Sequence, residues 1–530
     1  MYRTLVAVAV LAGSVQAGAK IDEGIAAGER FAPVFVRMTE QVFKQGGDYE
    51  TFCRANHARK RTGLRREVMT ALKRNADASW EAIEPAIKRL TDDGAVRRVA
   101  RYWVVNGFAC EATGDACRVL AEDPHVGFVY LQRLPIPQQD VTHPALPQAV
   151  LDRYRKVYDG VLAEWTNDDE QAVTADGFDV PWNVKRLKAD RAWIDEVATG
   201  RGVVVAMCDS GLMVTPSLTR ALWRNPDEPF NGKDDDANGY ADDLFGWDFA
   251  RDSWYCLGDG PVVTHGSMCG GIVAGRPANT RRLITGVAPR ARLMILRGAG
   301  YLKAYEYALA NGADILSMSY MWPGRPLGPY RGVYRLAHEH LAAAGIVAVG
   351  GAGNFAGTGP RSQPVGKQIA LPKDIPCVIA VAGIRKDGSK APASSEGPCY
   401  WTGVAFYDDY PKDAPLAKPD VTGCFGGYPV WGRPNAAPVK RGQWTLVSDE
   451  GAQIGLVTGP QGNSFAGPHA AGVAALMLSV NFELPAWRVK ALMEATCTDI
   501  GDKGRDYTFG AGLLNALDAV RAAKKAGRDP

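Results

Sequence analysis

Three residues of this 530-residue chain have side chains that could act together in catalysis. Asp209, His265 and Ser464 lie far apart along the chain, each among glycines and other small residues. A serine hydroxyl becomes a good nucleophile when a neutral imidazole takes its proton, and a carboxylate keeps that imidazole in the correct tautomer. These residue types therefore indicate acyl transfer through a serine, if the fold brings them together.

The elements that must position these residues begin after residue 182, where short apolar, β-branched runs alternate with helical patterns. The runs are Val203–Met207, Leu293–Leu296, Ile315–Met318, Ile346–Val349 and Val378–Val381. Strands that are apolar on both faces and joined by helices predict an α/β fold with a parallel sheet covered on both sides. Ligands of such sheets bind beyond the carboxyl ends of the strands. Asp209 follows the first run and Asn354 follows the fourth, so both are expected at that edge.

His265 and Ser464 are expected at the starts of helices. Glycines after His265 allow close packing of its helix, and Ser464 precedes the apolar run Ala470–Val480. The positive end of a helix can stabilise an oxyanion that forms at such a serine. A serine at a helix start is otherwise an ordinary N-cap, so its position alone leaves its role open.

Taken together and in this order, the segments resemble the subtilisin (subtilase) family from about Trp182 to Ala523. The matching segments are Val205–Gly211, His265–Gly271, Ala352–Asn354, Lys418–Val421, Gly462–His469 and Gly510–Ala516. The chain order Asp, His, Ser is that of subtilisin. An α/β-hydrolase would need glycine at position 466, where this chain has Ala466, and an acid after the serine.

The resemblance implies a three-layer subtilisin-like α/β fold with a mainly parallel central sheet. It implies that Asp209, His265 and Ser464 form the catalytic triad of a serine endopeptidase and that Asn354 donates to the oxyanion. It also places substrate-binding positions at Ser317, Ser319, Tyr320, Gly351, Ala352 and Gly353. Where the family commonly has Leu-Gly, this chain has Tyr320 and Met321, so the family's substrate preference does not transfer.

An oxygen-rich loop lies between Asp209 and His265, with polar residues at every second position. Asp234, Asp236, Asn238, the Tyr240 carbonyl and Asp242 occupy positions 1, 3, 5, 7 and 9 of an EF-hand-like spacing. Position 12 is Phe245 instead of glutamate, which leaves Asp243 or water to complete the site. We expect a structural Ca²⁺ here and no organic cofactor; the alternative is a solvated acidic turn.

The part of the chain before residue 181 divides into three segments. Residues 1–19 have the short apolar core and small residues typical of a signal peptide. Residues 20–135 read as a small α+β unit, with the order helix, helix, strand, helix, strand over Arg65–Leu131, and resemble the ferredoxin-like inhibitory propeptide of subtilases. Residues 136–180 are expected to be a linker with the processing site, and residues 181–530 the catalytic domain.

Composition adds few constraints on partners. The net charge of +3 and the acidic residues that interleave with the basic cluster between Arg54 and Arg101 argue against a nucleic-acid partner. No stretch is long and apolar enough for a stable membrane span. We therefore expect a secreted, extracellular or periplasmic monomer that acts on proteins or peptides, with its own propeptide as intramolecular inhibitor.

Ten cysteines are too few to hold a chain of this length by cross-links alone. Cys208 and Cys269 lie in apolar surroundings and are expected to be buried thiols. The pairs Cys110–Cys117 and Cys399–Cys424 are candidate disulfides.

The function these features predict is a secreted serine endopeptidase, processed by itself from a precursor. The alternative is a subtilase fold retained as a binding or scaffold protein, motivated by the Tyr320 and Met321 differences. The complete set of triad residues argues against that alternative.

Overall fold

A computed structural model of the protein describes residues 20–134, 147–165, 178–258, 264–277, 282–357, 368–449 and 454–526. The predicted signal peptide lies outside these residues, as does much of the predicted linker. No helix in the described ranges is both long enough and apolar enough to cross a bilayer.

The N-terminal unit is a four-stranded antiparallel sheet with helices. Its elements are β1 (Phe31–Met38), α1 (Asp48–Ala55), α2 (Arg61–Asp92), β2 (Val96–Tyr102), β3 (Gly107–Thr113), α3 (Gly114–Glu122) and β4 (Val126–Leu131). The strand order β2-β3-β1-β4 is that of a ferredoxin-like fold, as expected. The predicted order of elements omitted β1 and β3 and divided α2 into two helices.

The predicted linker contains a helix, α4 (Gln148–Glu164), for which the sequence analysis predicted no secondary structure. Tyr158 is fully buried, and its hydroxyl donates to the Trp254 carbonyl at 2.6 Å. The Tyr158 ring also stacks on Phe230, with 5.6 Å between ring centroids. The apolar face of α4 therefore packs against the polypeptide between the acidic loop and His265.

The larger unit is built on a seven-stranded sheet in which each recorded strand pair is parallel. Its elements are α5 (Trp182–Arg186), α6 (Ala189–Glu196), β5 (Val204–Asp209), β6 (Leu212–Met213), α7 (Pro216–Thr219), β7 (Gly246–Asp248), β8 (Leu257–Gly258), α8 (Thr264–Ala274), β9 (Arg292–Arg297), α9 (Leu302–Ala310), β10 (Ile315–Met318), α10 (Arg331–Ala343), β11 (Val347–Gly351), β12 (Ile379–Ile384), β13 (Val421–Cys424), β14 (Val430–Gly432), α11 (Ala437–Lys440), β15 (Thr445–Asp449), β16 (Gly455–Thr458), α12 (Asn463–Val480), α13 (Ala486–Ala495) and α14 (Ala516–Ala526). The sheet order is β13-β12-β11-β10-β5-β9-β7.

The predicted strand runs coincide with β5, β9, β10, β11 and β12, which confirms the parallel α/β fold. Helices cover both faces of this sheet. On one face of the sheet, His338 of α10 contacts Met318, whose register partner on the neighbouring strand is Gly350. Successive residues of a strand face opposite sides, so Gly351 lies on the other face, where it packs against the start of α12. The result is the three-layer architecture that the resemblance implied.

The N-terminal unit docks on α9, α10 and the turn before β10. Arg61 of α2 forms a buried ion pair with Asp314, with 2.8 Å between Nη1 and Oδ1, and Arg65 lies 3.6 Å from the same oxygen. Glu306 accepts hydrogen bonds from the backbone N–H groups of Trp103 and Val104. Charged and apolar groups of the two units are thus buried against each other.

The cysteines correct one prediction and confirm another. Neither candidate disulfide is formed, because Cys110, Cys117 and Cys424 are buried thiols. Burial raises the pKa of Cys110, so it stays protonated at neutral pH. Cys208 and Cys269 are buried free thiols, as expected.

Candidate active site

Asp209 is the last residue of β5, which lies between β9 and β10 in the middle of the sheet. Its Oδ1 and Oδ2 lie 2.8 and 3.0 Å from Nδ1 of His265. Oδ1 also accepts the backbone N–H of Ser210 at 2.6 Å. The carboxylate is therefore held in place from two directions and can orient the imidazole.

His265 lies in the first turn of α8, whose close approach to β5 depends on Gly266. A Cβ added at Gly266 would lie 2.1 Å from the carbonyl oxygen of Gly211, so only glycine allows this packing. The Gly266 N–H donates to Ser210 Oγ at 3.0 Å, which fixes the helix start. The His265 side chain remains 40% exposed, so its ring can reach a bound ligand.

Ser464 lies at the second position of α12 and is held against α8 and against the residue that follows β10. Its carbonyl accepts hydrogen bonds from Ser319 Oγ at 2.9 Å and from Cys269 Sγ at 3.3 Å. The ring of Phe465 packs against the His265 ring, with 5.6 Å between centroids. The structure thus brings the three predicted triad positions to one edge of the sheet.

Cys269 is a contact residue of this site that the sequence interpretation treated only as a buried apolar residue. Its Sγ lies 3.9 Å from Nδ1 of His265, as well as 3.3 Å from the Ser464 carbonyl. The sequence feature that could have identified Cys269 is its position four residues after His265, which places both side chains on one face of a helix. Asp209, His265 and Cys269 offer three ligand atoms within 4.8 Å, but the carboxylate and imidazole already bind each other.

The two ionisable groups of the pair shift each other's pKa. Burial alone would raise the pKa of Asp209, but His265 and the Ser210 N–H lower it below its usual value. A negative charge on Cys269 would raise the pKa of His265 most, and Asp209 raises it as well. Burial raises the pKa of the Cys269 thiol, however, so that thiol is neutral near pH 7. Near pH 7 the pKa of His265 is therefore raised by Asp209.

Asn354 lies where the chain leaves β11, next to the start of α12. Its Oδ1 accepts the backbone N–H of Asn463 at 2.7 Å. This bond orients the amide, so that Nδ2 is the group left to donate, beside Gly462. The side-chain amide and the N-terminus of α12 therefore provide donors near Ser464.

The predicted substrate-binding positions do not all reach the surface. Ser317 is 2% exposed, enclosed within β10, whereas Ser319 and Tyr320 follow the end of that strand and are partly exposed. Gly351, Ala352 and Gly353 form the end of β11 and the turn after it, all buried, with Gly351 against Asn463.

Lys373, which sequence reasoning missed, supports Tyr320 from below. Its ammonium donates to the Tyr320 carbonyl and lies 4.7 Å from the centre of the Tyr320 ring. The Tyr320 hydroxyl is bonded to the Tyr305 hydroxyl at 2.6 Å. Burial lowers the pKa of Lys373 to about 7. Tyr320 is therefore fixed at three points, which sets the wall of the cleft beside Asp209.

The acidic loop contains a convergence of carboxylates that differs from the predicted set. Asp234 accepts hydrogen bonds from the N–H groups of Asn238 and Gly239, and Asp242 accepts those of Asn231 and Gly232. The predicted ligands Asp234 and Asp242 are thus engaged with the backbone of the loop itself. Tyr240 donates its N–H to Asn238 Oδ1 at 2.8 Å.

The oxygens that converge belong to Glu228, Asp236 and Asp243, within 4.8 Å of one another. Asn238 donates from Nδ2 to both Asp236 and Asp243 at 2.9 Å, so it lies beside this group. Burial raises the pKa of Glu228 and of Asp243. Oxygen ligands clustered without a paired protein cation fit a hard divalent ion such as Ca²⁺.

Comparison with known proteins agrees with this geometry. Residues 200–512 match the model of the subtilase family, Peptidase_S8. Subtilisin DY of Bacillus licheniformis is 26% identical over 64% of this chain and 99% of its own length. Bacillopeptidase F of Bacillus subtilis is 26% identical over 86% of this chain, and the calcium-dependent protease of Trichormus variabilis 30% identical over 50% of it.

The match spans 29% of bacillopeptidase F and 41% of the calcium-dependent protease, so those two proteins extend well beyond it. The family model covers more than half of the chain and includes Asp209, His265, Asn354 and Ser464. The chain belongs to the subtilase family and is a serine endopeptidase.

Proposed function

We propose that the protein is a secreted endopeptidase, matured by its own activity, that hydrolyses peptide bonds through Asp209, His265 and Ser464. The observation that carries the proposal is the contact of Asp209 with His265 Nδ1 at 2.8 Å, with Ser464 anchored next to both through Cys269. The pattern of residues 1–19 supports export.

The roles follow from the positions of the atoms. With Asp209 at Nδ1, the proton of a neutral His265 stays on Nδ1, and Nε2 is the nitrogen free to accept the Ser464 proton. The Ser464 oxygen then attacks the peptide carbonyl carbon, and His265 returns the proton to the leaving amine. Water repeats the sequence on the acyl-enzyme and releases the acid.

Asn354 is proposed to stabilise the tetrahedral intermediate. Its Nδ2 and the backbone N–H of Ser464 can donate to the oxyanion, and the Asn463 N–H holds the amide in that orientation. Loss of one such donor typically costs about 10² to 10³ in kcat. Ser319, Tyr320 and Gly351–Gly353 are proposed to border the bound peptide.

The N-terminal unit is proposed to be an inhibitory propeptide. Its last described residues contact the polypeptide that follows β10, since Arg133 donates to the Leu327 carbonyl at 3.2 Å. Processing is proposed between Gln132 and Val180.

Calcium is proposed to bind at the acidic loop, with Glu228, Asp236 and Asp243 as carboxylate ligands. Asn238 is proposed to position Asp236 and Asp243 by donating to both from Nδ2. A bound Ca²⁺ would neutralise buried charge there and take no part in the chemistry at Ser464.

A fluorophosphonate probe tests the nucleophile, because it reacts with activated serines. The protein should be labelled, and Ser464→Ala should abolish the label together with peptide hydrolysis. Ser267→Ala is the matched control, since Ser267 is a buried serine of α8 that should leave labelling intact. A correctly folded protein that resists labelling would overturn the proposal.

The same variant tests maturation. Ser464→Ala should accumulate at nearly full length, whereas the unaltered protein should lose an N-terminal fragment, as measured by intact mass. Normal maturation of Ser464→Ala would mean that another protease performs the cut.

A further inference from the structure

A cleft of about 620 Å³ adjoins the active site on the side of Asp209. One wall is formed by Asp209, Ser210 and the end of β9, and the other by Ser319 and Tyr320. Arg251 and Arg297 also line it. Because Ser319 and Tyr320 belong to the segment proposed to border the peptide, the cleft is available to side chains on the acyl side of the scissile bond.

Both arginines of the cleft are held by one carboxylate. Arg297 Nη1 and Arg251 Nη1 lie 3.0 and 3.1 Å from the same oxygen, Oδ2, of Asp248. Asp248 is fully buried, and its Oδ1 accepts the N–H groups of Ala250 and Arg251. Two guanidinium groups therefore share the single carboxylate of Asp248.

Arg251 is the group that can meet a ligand. Its side chain is 40% exposed, whereas that of Arg297 is 7% exposed. Within the part of the chain that the structure describes, Arg251 donates to a carboxylate through Nη1 alone. The tether to Asp248 fixes the guanidinium before a ligand arrives, which reduces the entropy lost on binding.

Asp209 lines the same cleft, but its carboxylate is engaged with groups other than the two arginines. Its Oδ1 and Oδ2 lie against His265 Nδ1, and Oδ1 also receives the Ser210 N–H. The carboxylate is thus directed toward the imidazole, and the exposed charge in the cleft is that of Arg251.

The backbone just beyond the cleft-lining residue Ala299 is covered by an aromatic ring. The position that a Cβ would occupy on Gly300 lies 1.9 Å from the Trp322 ring. The backbone N–H of Trp322 donates to the Leu371 carbonyl at 3.1 Å.

We propose that this cleft selects substrates that carry an aspartate or glutamate among the second to fourth residues before the scissile bond. The carboxylate of the substrate would accept charge-assisted hydrogen bonds from Arg251, with Arg297 adding positive potential behind it. This inference rests on the proposed function, because it assigns the acidic side chain to the acyl side of a peptide cleaved at Ser464.

Quenched fluorescent peptides that differ only in Glu, Gln or Lys at each of those three positions test the proposal. Glu and Gln have the same shape, so their ratio of kcat/KM isolates the charge. At one position kcat/KM for the Glu peptide should exceed that for the Gln peptide about tenfold, and kcat/KM for the Lys peptide should be the lowest. Added salt should reduce the ratio, because Arg251 is partly exposed.

Variants of Arg251 sharpen the test. Arg251→Gln should bring the Glu-to-Gln ratio close to one, and Arg251→Glu should invert it and favour the Lys peptide. Lys503→Glu is the matched control, since it makes the same change in net charge at an exposed residue outside the cleft and should keep the wild-type ratio.

A labelled, active protein with a Glu-to-Gln ratio of one at all three positions would overturn this inference alone. So would an unchanged preference in Arg251→Glu. Absence of both fluorophosphonate labelling and peptide cleavage would overturn the proposed function and this inference together.

Discussion

Two regions of the molecule bury carboxylates, and they do so with opposite electrostatic results. At the active site, Asp209 lies against the His265 imidazole, and its pKa is lowered in spite of burial. In the acidic loop, the groups of the described residues that donate to Asp243 are neutral, among them Asn238 and Tyr307, and burial raises its pKa. A buried carboxylate is thus stable as an anion only where a cationic or strongly donating partner comes with it.

The comparison explains why one region can work with the chain alone and the other fits an added ion. Asp209 has its partner within the protein, so its geometry is complete when the chain folds. Glu228, Asp236 and Asp243 repel one another until a cation binds or a proton is taken up.

The largest effect that separates the two regions is expected from Asp209→Asn. An asparagine keeps the shape but cannot hold His265 in the required tautomer, so kcat for a peptide substrate should fall by about 10⁴. Asp236→Asn is the matched change in the acidic loop and should leave kcat within a few-fold when calcium is present. A less than tenfold loss in Asp209→Asn would contradict the assigned role.

A chelator should lower the melting temperature by about 5 °C, because removal of a ligand that binds only the folded state removes its stabilisation. Scanning calorimetry of Ser464→Ala avoids self-digestion during the measurement. In that background, Asp236→Asn with Asp243→Asn should eliminate the difference between calcium and chelator.

Asp234→Asn is the control for the chelator experiment, since Asp234 binds backbone N–H groups instead of facing the carboxylate cluster. It should keep a difference between calcium and chelator. Identical melting of the parent protein in both buffers would reject the calcium site, and loss of the difference in Asp234→Asn would restore the EF-hand-like ligand set.

The smallest effect concerns pH. The fold raises the pKa of Glu228 above its ordinary value of 4.5 and that of Asp243 above 3.8. At pH values between the ordinary and the raised pKa, the folded state binds more protons than the unfolded state. The free energy of unfolding in chelator should therefore fall as the pH rises through this window. Added calcium should reduce this dependence of the free energy of unfolding on pH.

Asp209 gives the opposite sign, with stability lost as the pH falls below 3.8. Urea unfolding of Ser464→Ala at a series of pH values, with chelator and with calcium, measures both slopes. If stability in chelator instead rises as the pH increases above the ordinary pKa values of Glu228 and Asp243, the raised pKa values are wrongly assigned.

The parallel sheet could be predicted from the sequence because its strands are apolar and β-branched on both faces. β10 coincides with the predicted run Ile315–Met318, and β5 with the run that ends before Asp209. β7, of three residues, gave too short a pattern, and β1 precedes the segment in which a repeating pattern was recognised.

Site residues could be predicted where they belong to one sequence motif. They could not be predicted where folding brings them together from distant parts of the chain. Spacing alone assigned Asp234 and Asp242 as ligands, because it assumed an EF-hand geometry in which alternate residues face inward. The structure instead uses both carboxylates to fold the loop and brings in Glu228 from outside the motif. Tertiary packing that no local pattern encodes likewise brings Arg251 to the cleft and Lys373 to Tyr320.

The ion pair of Arg61 with Asp314 has a consequence for a chain cut between the two units. Both side chains are almost fully buried, and Arg61 and Arg65 are the cations recorded next to Asp314 in the described ranges. Departure of the N-terminal fragment would take both guanidinium groups away from Asp314 and leave water as the replacement for this ion pair. The pair therefore helps to hold a severed fragment in place, and the onset of proteolysis would depend on how fast that fragment leaves or is destroyed.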